Sequence, residues 1–405
     1  MSEWLEREKN VLLPTYSRYP VVIEKGRGTK LYDDKGKEYL DLFSGLAVNV
    51  LGHCHPRLIN RGKRQLDKYL HISNFYYCKN AIELGEKLID RSFPGKVFFC
   101  NSGAEATEAA IKYLFKIGVK EGRRGIVVIK NSFHGRTLGA LSATKMNGVS
   151  QDFPSIEYPF YEISRRQIDE IEDLFIEKQP LGILFEIISG SGGIQVFPEE
   201  ELLQIQRLCK KYDVIMVVDE IQTGIGRTGK FFAYQNFPID PDILIFAKGI
   251  GGGNPLGGII VRDQFDGYFS PGDHGTTFGP NPLSTAMGLE TLEVINDEFL
   301  CDVKSKSQKL IKELQLLKEK FPEQIGEIRG LGMMIGVEML IGSKKDYDGM
   351  NYIQKIQYNF IEKGILVNFT QGNILRLLPP LIIEMKEIQE FVKTFGELLA
   401  DYSAS

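Results

Sequence analysis

The stretch Val214-Ile215-Met216-Val217-Val218-Asp219 decides the fold, because it is a short, continuously apolar run that ends in a carboxylate. A strand covered by helices on both faces has this composition, since neither face meets water. Helical patterns such as Ala104–Phe115 and Glu199–Tyr212 separate runs of this kind. The alternation predicts an α/β fold with a mostly parallel, doubly wound sheet. The other apolar runs are Val97–Cys100, Gly125–Ile129, Leu181–Phe185 and Asp242–Ala247.

The pattern changes toward both ends of the chain. After about Asn281 the sequence contains long, charged amphipathic helices, and Val21–Leu42 predicts a hairpin of strands that turns at Asp33–Gly36. We therefore predict a large domain over residues 46–294. A smaller α+β domain is predicted from residues 1–45 together with residues 295–405.

The composition argues against several classes of protein. The 405 residues include 49 Lys and Arg against 53 Asp and Glu, and the resulting net charge of -4 is atypical of nucleic-acid-binding proteins. No apolar run approaches the ~20 residues of a membrane-spanning helix, and the charged N-terminus lacks the apolar core of a signal peptide. The cysteines are odd in number and widely separated, which predicts a cytoplasmic protein without a disulfide framework. They are Cys54, Cys78, Cys100, Cys209 and Cys301.

Charged residues follow two of the predicted strands, where ligands of open parallel sheets bind. Asp219 ends one strand and Lys248 follows the next, 248 - 219 = 29 residues later, which is about the length of one strand-crossover-strand unit. Both side chains are therefore expected in one crevice. They could form a buried salt bridge. Alternatively, poor solvation lowers the pKa of Lys248 and leaves a neutral amine that can form a Schiff base.

A second candidate element is the turn Asn101-Ser102-Gly103-Ala104-Glu105 after the strand Val97–Cys100. Ser102 and Glu105 have the spacing of a capping box, and the small residues between them leave room for an anion at the start of a helix. The turn is thus either a phosphate site or an ordinary helix cap.

Two arginines and an aromatic residue complete the candidates. Arg136 lies in Phe133-His134-Gly135-Arg136-Thr137, and its planar guanidinium suits a substrate carboxylate. Phe133 could cover an aromatic ring or belong to the core. Arg376 lies in an apolar segment, and Thr277 supplies a hydroxyl in a turn.

Two other site types are poorly supported. Gly224–Gly229 matches the dinucleotide fingerprint of a dehydrogenase, but Asp219–Thr223 lie between the apolar run 214–218 and the first glycine, and no amphipathic helix follows. His53-Cys54-His55 contains metal-ligand residue types, but neighbours on an extended chain point in opposite directions and no second ligand cluster accompanies them. No metal site is predicted.

Taken together, these segments resemble the class III pyridoxal-phosphate aminotransferases, in order and spacing, from about Tyr19 to Leu399. The shared motifs are Ser-Gly-Ala-Glu-Ala at 102, Phe-His-Gly-Arg-Thr at 133, Asp-Glu-Ile-Gln-Thr-Gly at 219, Ala-Lys-Gly-Ile-Gly at 247 and Gly-Thr-Thr-Phe-Gly at 275. Residues 45–56 are most similar to the acetylornithine aminotransferase branch. The resemblance implies fold type I, bound pyridoxal phosphate, and a homodimer whose active sites are shared between subunits.

The resemblance also implies residue roles. Lys248 corresponds to the Schiff-base lysine that moves the substrate proton, and Asp219 faces the pyridinium nitrogen. Arg136 and Arg376 correspond to the clamps for substrate carboxylates. The remaining contacts implied are Gln222 to the phenolic oxygen, Phe133 and Ile221 on the ring faces, and Ser102, Gly103, Ala104 and the other subunit's Thr277 at the phosphate.

The reaction implied is amino transfer from N-acetylornithine to 2-oxoglutarate, in arginine biosynthesis. N-succinylornithine, ornithine and 4-aminobutyrate are alternative amino donors. One position departs from the family: many members read Glu-Pro-Ile-Gln-Gly-Glu-Gly-Gly where this chain has Glu186-Ile-Ile-Ser-Gly-Ser191-Gly-Gly. The second glutamate usually pairs with the arginine that matches Arg376. Because Ser191 replaces it, we expect Arg376 to stay available to carboxylates.

Overall fold

The structure, a computed structural model of the chain, describes residues 3–146, 148–150, 152–340 and 351–403. Its helices are α1 (Glu3–Val11), α2 (Ser44–Ala47), α3 (Pro56–Leu66), α4 (Lys79–Asp90), α5 (Gly103–Glu121), α6 (Leu138–Ala143), α7 (Ile171–Lys178), α8 (Glu199–Tyr212), α9 (Pro282–Val294), α10 (Asp297–Lys320), α11 (Tyr352–Glu362) and α12 (Met385–Ser403). Its strands are β1 (Ile23–Arg27), β2 (Lys30–Asp33), β3 (Glu38–Asp41), β4 (Gly95–Cys100), β5 (Ile126–Ile129), β6 (Phe160–Ile163), β7 (Gly182–Phe185), β8 (Ile188–Ser189), β9 (Gln195–Val196), β10 (Ile215–Asp219), β11 (Ile243–Phe246), β12 (Gly257–Arg262), β13 (Ile325–Leu331), β14 (Met334–Met339), β15 (Ile365–Leu366), β16 (Asn368–Thr370) and β17 (Ile374–Leu377).

A seven-stranded sheet carries the site, in the order β4-β12-β11-β10-β7-β5-β6. The neighbours from β11 to β6 are parallel, whereas β12 is antiparallel to both of its neighbours. Every residue of β5, β7, β10 and β11 is buried. Alternate residues pack into different cores, with Val127 in one and Val128 in the other. The mostly parallel α/β sheet predicted from the sequence is confirmed.

Two strands of this sheet were missed by the sequence analysis. β6 is only partly buried, so that it lacks the continuous apolar pattern of the inner strands. β12 begins with Gly257 and Gly258, which are unfavourable in strand interiors and weakened the signal. The five strands and two helices predicted for this region all form, and α5 extends beyond the predicted end at Phe115 to Glu121.

Two four-stranded sheets lie outside the central sheet, with the orders β1-β2-β3-β15 and β13-β14-β17-β16. The first contains residues from both ends of the chain, because β15 pairs in parallel with β3. The N-terminal segment contains three strands rather than one hairpin, and the predicted turn joins β2 to β3. Sharing of strands between the two ends is consistent with a composite smaller domain. The boundaries at residues 45 and 295 stay predictions.

The alternative sites find no structural support. Gly224–Gly229 lies in turns, and the next helical element is a short 3₁₀ turn at Ala233–Asn236, so the strand-turn-helix of a dinucleotide site is absent here. His53 bonds Asp41 through Nε2 at 2.7 Å. Among the described residues, no group of three or more His, Cys, Asp or Glu side chains could hold a metal ion. All five cysteines are free thiols. Over the same residues, no helix has the length and apolarity that crossing a bilayer requires.

Candidate active site

Asp219 and Lys248 lie at the carboxyl edge of the central sheet. Asp219 is the last residue of β10, and Lys248 follows the last residue of β11, Phe246, after one intervening residue. The two strands are parallel neighbours, with Asp219 opposite Ile245. Both side chains therefore start from the same edge of the sheet, as their spacing in the sequence indicates.

Lys248 supplies an amine that has no counter-charge in contact. Burial lowers the pKa of Lys248 to about 8, although the Asp219 and Glu186 carboxylates oppose this shift. Its amine forms no hydrogen bond or ion pair within the described part of the chain. The backbone of Lys248 is left-handed, with φ +51°, a conformation that costs energy for a residue with a side chain and is concentrated at functional sites.

Asp219 pairs with a residue to which the sequence analysis gave no role. Its Oδ2 lies 2.7 Å from Nδ1 of His134, and its Oδ1 accepts the Ile221 N–H at 3.0 Å. His134 is buried, and its backbone N–H donates a hydrogen bond to Thr144 Oγ1 at 3.0 Å. The salt bridge between Asp219 and Lys248 that the sequence left open is therefore not formed. The signal for His134 was available, because a buried carboxylate needs donors and His134 follows a nearby strand of the same sheet.

The turn before α5 is a capped helix start that contacts the β10 tip. Ser102 Oγ accepts the Glu105 N–H at 3.2 Å, and Glu105 Oε2 accepts the Asn101 N–H at 2.6 Å, so the predicted cap forms. The first N–H groups of a helix have no partner within the helix and attract anions. A Cβ placed on Gly103 would lie 2.9 Å from Ile221 Cδ1, which shows that this helix start packs on the segment after Asp219.

Gln222 and Glu186 add buried polar groups to the same region. Gln222 is buried, and its Oε1 has no hydrogen-bond partner among the described residues. Glu186 follows β7 and accepts the N–H groups of Phe133 at 3.2 Å and Gly190 at 3.3 Å. Burial raises the pKa of Glu186 to about 7, with the Asp219 charge acting in the same direction and His134 against it. Glu186 received no role in the sequence analysis, although it follows a buried strand and matches the first glutamate of the family motif.

The two arginines differ in environment. Arg136 is exposed, and its Cζ lies 5.6 Å from the ring centre of the half-buried Phe133. Arg376 is 6% exposed, and its Nη2 and Nε donate to Asn368 Oδ1 at 2.7 and 3.2 Å. Burial lowers the pKa of Arg376 to about 10. Asn368 is a third residue that the sequence analysis missed.

Thr277 is exposed on a loop next to the helix cap. Its neighbour Thr276 accepts a hydrogen bond from Asn101 Nδ2 through Oγ1 at 2.8 Å. This contact holds the loop beside the start of α5 within one chain. The expectation that Thr277 serves the site of a second subunit stays a prediction.

The residues present fit pyridoxal phosphate. Gln222 Oε1 and His134 Nε2 are buried atoms without hydrogen-bond partners in the described structure. A Cβ on Gly190 would lie 2.0 Å from Gln222 Oε1. Position 190 must therefore be glycine for the Gln222 amide to keep its observed position. These polar atoms can bind the substituents of a ring. The amine of Lys248 can bind an aldehyde, and the start of α5 can bind a phosphate.

Known proteins show the same fold. An ornithine aminotransferase from Toxoplasma gondii, whose structure shows partial occupancy of PLP at the active site, superposes with a TM-score of 0.90 at 28% identity, covering 98% of this chain and 93% of that one. An N-acetylornithine aminotransferase from Stenotrophomonas maltophilia gives a TM-score of 0.82 at 28% identity, with 99% of both chains covered. The fold and the site define a pyridoxal-phosphate-dependent aminotransferase of fold type I.

The sequence places this enzyme in a family. The profile of the family "Aminotransferase class-III" matches residues 13–399. An acetylornithine aminotransferase from Caldanaerobacter subterraneus subsp. tengcongensis is 40% identical over 398 residues, which cover 97% of this chain and 98% of that protein. The chain belongs to the class III aminotransferases, and the family resemblance seen in the sequence is confirmed.

Proposed function

We propose that the chain transfers the terminal amino group of N-acetylornithine to 2-oxoglutarate, giving N-acetylglutamate semialdehyde and glutamate, as a step of arginine biosynthesis. An amino-transfer mechanism is supported above all by the buried amine of Lys248. This amine has no counter-charge in contact, and it lies near the carboxylate of Asp219. The choice of donor is supported by relatives named acetylornithine aminotransferase that are 38–40% identical over nearly the whole chain.

Lys248 is the proposed catalytic residue. Pyridoxal phosphate, when bound, supplies an aldehyde that binds amines covalently and a ring that withdraws electrons from the reacting carbon. Lys248 would hold the aldehyde between turnovers, and its Nζ would carry the proton from the amine-bearing carbon of the substrate to the cofactor. A pKa near 8 suits this work, because an effective base has a pKa close to the working pH.

Asp219 is proposed to bind the protonated ring nitrogen. Its carboxylate already accepts the Ile221 N–H and contacts His134, and each carboxylate oxygen can accept more than one hydrogen bond. The contact with His134 fixes the orientation of the carboxylate. A negative charge held in this position keeps the proton on the ring nitrogen.

The remaining contacts to the cofactor are proposed from the family resemblance. Ser102, Gly103 and Ala104 would bind the phosphate at the start of α5. The other proposed contacts are Gln222 to the phenolic oxygen and Phe133 and Ile221 to the two faces of the ring.

Arg136 and Arg376 are proposed to bind the substrate carboxylates. A guanidinium matches a carboxylate with two parallel hydrogen bonds. We assign the exposed Arg136 to N-acetylornithine and the buried Arg376 to 2-oxoglutarate and glutamate. N-succinylornithine, ornithine and 4-aminobutyrate are the alternative donors, and a nicotinamide-dependent dehydrogenase is disfavoured by the absence of a dinucleotide turn at Gly224–Gly229.

We propose a cytoplasmic homodimer in which Thr277 contributes to the partner's phosphate site. Phe75 and Tyr77 are 94% and 92% exposed, and Leu70 and Tyr76 are exposed nearby. A cluster of large apolar side chains in one short segment is typical of an interface. Light scattering of the purified protein tests the dimer, and a monomer at micromolar concentration contradicts it.

A donor panel tests the substrate. With 2-oxoglutarate as acceptor, glutamate formation is measured for N-acetylornithine and the three alternative donors, and N-acetylornithine should give the highest kcat/KM. Lys248→Ala is the control for background and should form no glutamate. A higher kcat/KM for any other donor overturns the assignment of the amine.

A further inference from the structure

Arg376 is a buried cation whose hydrogen bonds go only to uncharged oxygens in the described structure. Two of them go to Asn368 Oδ1, and Nη1 donates a longer third to the Gly190 carbonyl at 3.4 Å. A buried charge usually has a counter-charge in contact, because the transfer of an ionised group from water to the protein interior is costly. Three of the five N–H donors of a guanidinium are used, which leaves two. Arg376 is therefore prepared to bind an anion.

The contact with Asn368 is fixed by strand register. Asn368 on β16 lies directly opposite Arg376 on β17, and cross-strand partners present their side chains to the same face. On the other flank, β14 places Gly336 opposite Arg376 and adds no side chain. The Phe43 ring, centred 5.5 Å from Cζ of Arg376, contributes an apolar neighbour. The guanidinium is thus held in place by one neutral amide.

No carboxylate of the described residues takes the place of that amide. Glu186 acts on Arg376 through its charge, but its oxygens accept the Phe133 and Gly190 N–H groups. Ser191, next to Gly190, has only a hydroxyl, and its carbonyl accepts Thr370 Oγ1 at 2.8 Å.

We infer that Asn368 is a positioning and specificity-determining residue for the substrate carboxylate that binds Arg376. Its oxygen orients the guanidinium without neutralising it, so that a dicarboxylic oxo acid meets a cation that has no counter-charge in contact. An acid at this position would compete with the substrate. The inference rests on the proposed role of Arg376 as a carboxylate site.

Asn368→Asp tests this inference, because it changes charge with almost no change in shape. In the holoenzyme, the KM for 2-oxoglutarate should rise on the order of tenfold to a hundredfold, as expected when a charge-assisted pair must be displaced. The kcat at saturating 2-oxoglutarate and the KM for N-acetylornithine, which we assign to Arg136, should change little. Calorimetry should show the same loss of affinity for glutarate, an unreactive dicarboxylate.

Gln308→Glu is the matched control, since it adds one negative charge at an exposed position of α10, and it should leave all four quantities unchanged. Unaltered glutarate affinity in Asn368→Asp overturns the inference, and so does an equal rise in KM for both substrates. If Asn368→Asp does not fold or retain cofactor, Ser191→Glu replaces it, with the same expected loss of glutarate affinity. Should N-acetylornithine prove a poor donor while glutarate affinity still depends on Asn368, the proposed function fails and the role of Asn368 stands.

Discussion

The pKa of Lys248 predicts how fast the apoprotein captures pyridoxal phosphate at each pH. Only the neutral amine attacks an aldehyde, and burial lowers the pKa of this amine from 10.5 to about 8. At pH 7 about a tenth of the amine is then neutral, against about 0.03% for an ordinary lysine. The neutral fraction is thus roughly 300-fold larger than for an exposed lysine, and the capture rate should rise about tenfold per pH unit below pH 8 and level off above it.

Stopped-flow absorbance after mixing apoprotein with pyridoxal phosphate, from pH 6 to 10, measures this dependence. Nα-acetyllysine, mixed with the same reagent, reports the pH dependence of an ordinary amine and corrects for ionisation of the cofactor itself. Lys248→Ala should give no borohydride-stable adduct at the site. A corrected rate that climbs without a break to pH 10 would refute the reasoning, since Lys248 would then titrate as an exposed lysine.

Three further substitutions test other parts of the site. Arg136→Ala should raise the KM for one carboxylate substrate by roughly tenfold or more, because a charge-assisted pair contributes about 1.5–3 kcal/mol; steady-state kinetics with no change for any substrate would remove Arg136 from the site. Burial raises the pKa of Glu186 from 4.5 to about 7, so the folded protein loses stability as the pH rises through that range. In urea denaturation, Glu186→Gln should therefore gain free energy of unfolding relative to the parent between pH 5 and 8, whereas a constant difference contradicts the shift. Gly103→Ala places a methyl group 2.9 Å from Ile221 Cδ1 and should weaken cofactor binding in a spectrophotometric titration; an unchanged dissociation constant shows that Ile221 moves freely.

Local patterns made the scaffold of the site predictable. The apolar run that ends at Asp219 and the run that precedes Lys248 each specify a buried strand, and parallel neighbours end at one edge. The cap at Ser102 could be read from residue spacing alone.

Residues joined only by the tertiary structure could not be found in the same way. His134 and Asp219 are 85 positions apart. The need of a buried carboxylate for donors makes His134 a candidate partner, but local spacing does not fix the contact. Asn368 and Arg376 are eight positions apart, but their contact depends on the register of β16 against β17. The antiparallel strand β12 was not predicted, because its two glycines are unfavourable in a strand.

β4 and β11 run in the same direction although β12 lies between them. Because β12 is antiparallel to both β4 and β11, those flanking strands run the same way, and Cys100 and Phe246 end at the same edge. Neighbouring strands lie about 4.8 Å apart, so these two ends are separated by roughly 10 Å. Gly257 and Gly258, the first residues of β12, lie between these two ends and add no side chain there. In the proposed site, the width of one intervening strand would thus set the spacing between the strand that leads to the start of α5 and the strand that leads to Lys248.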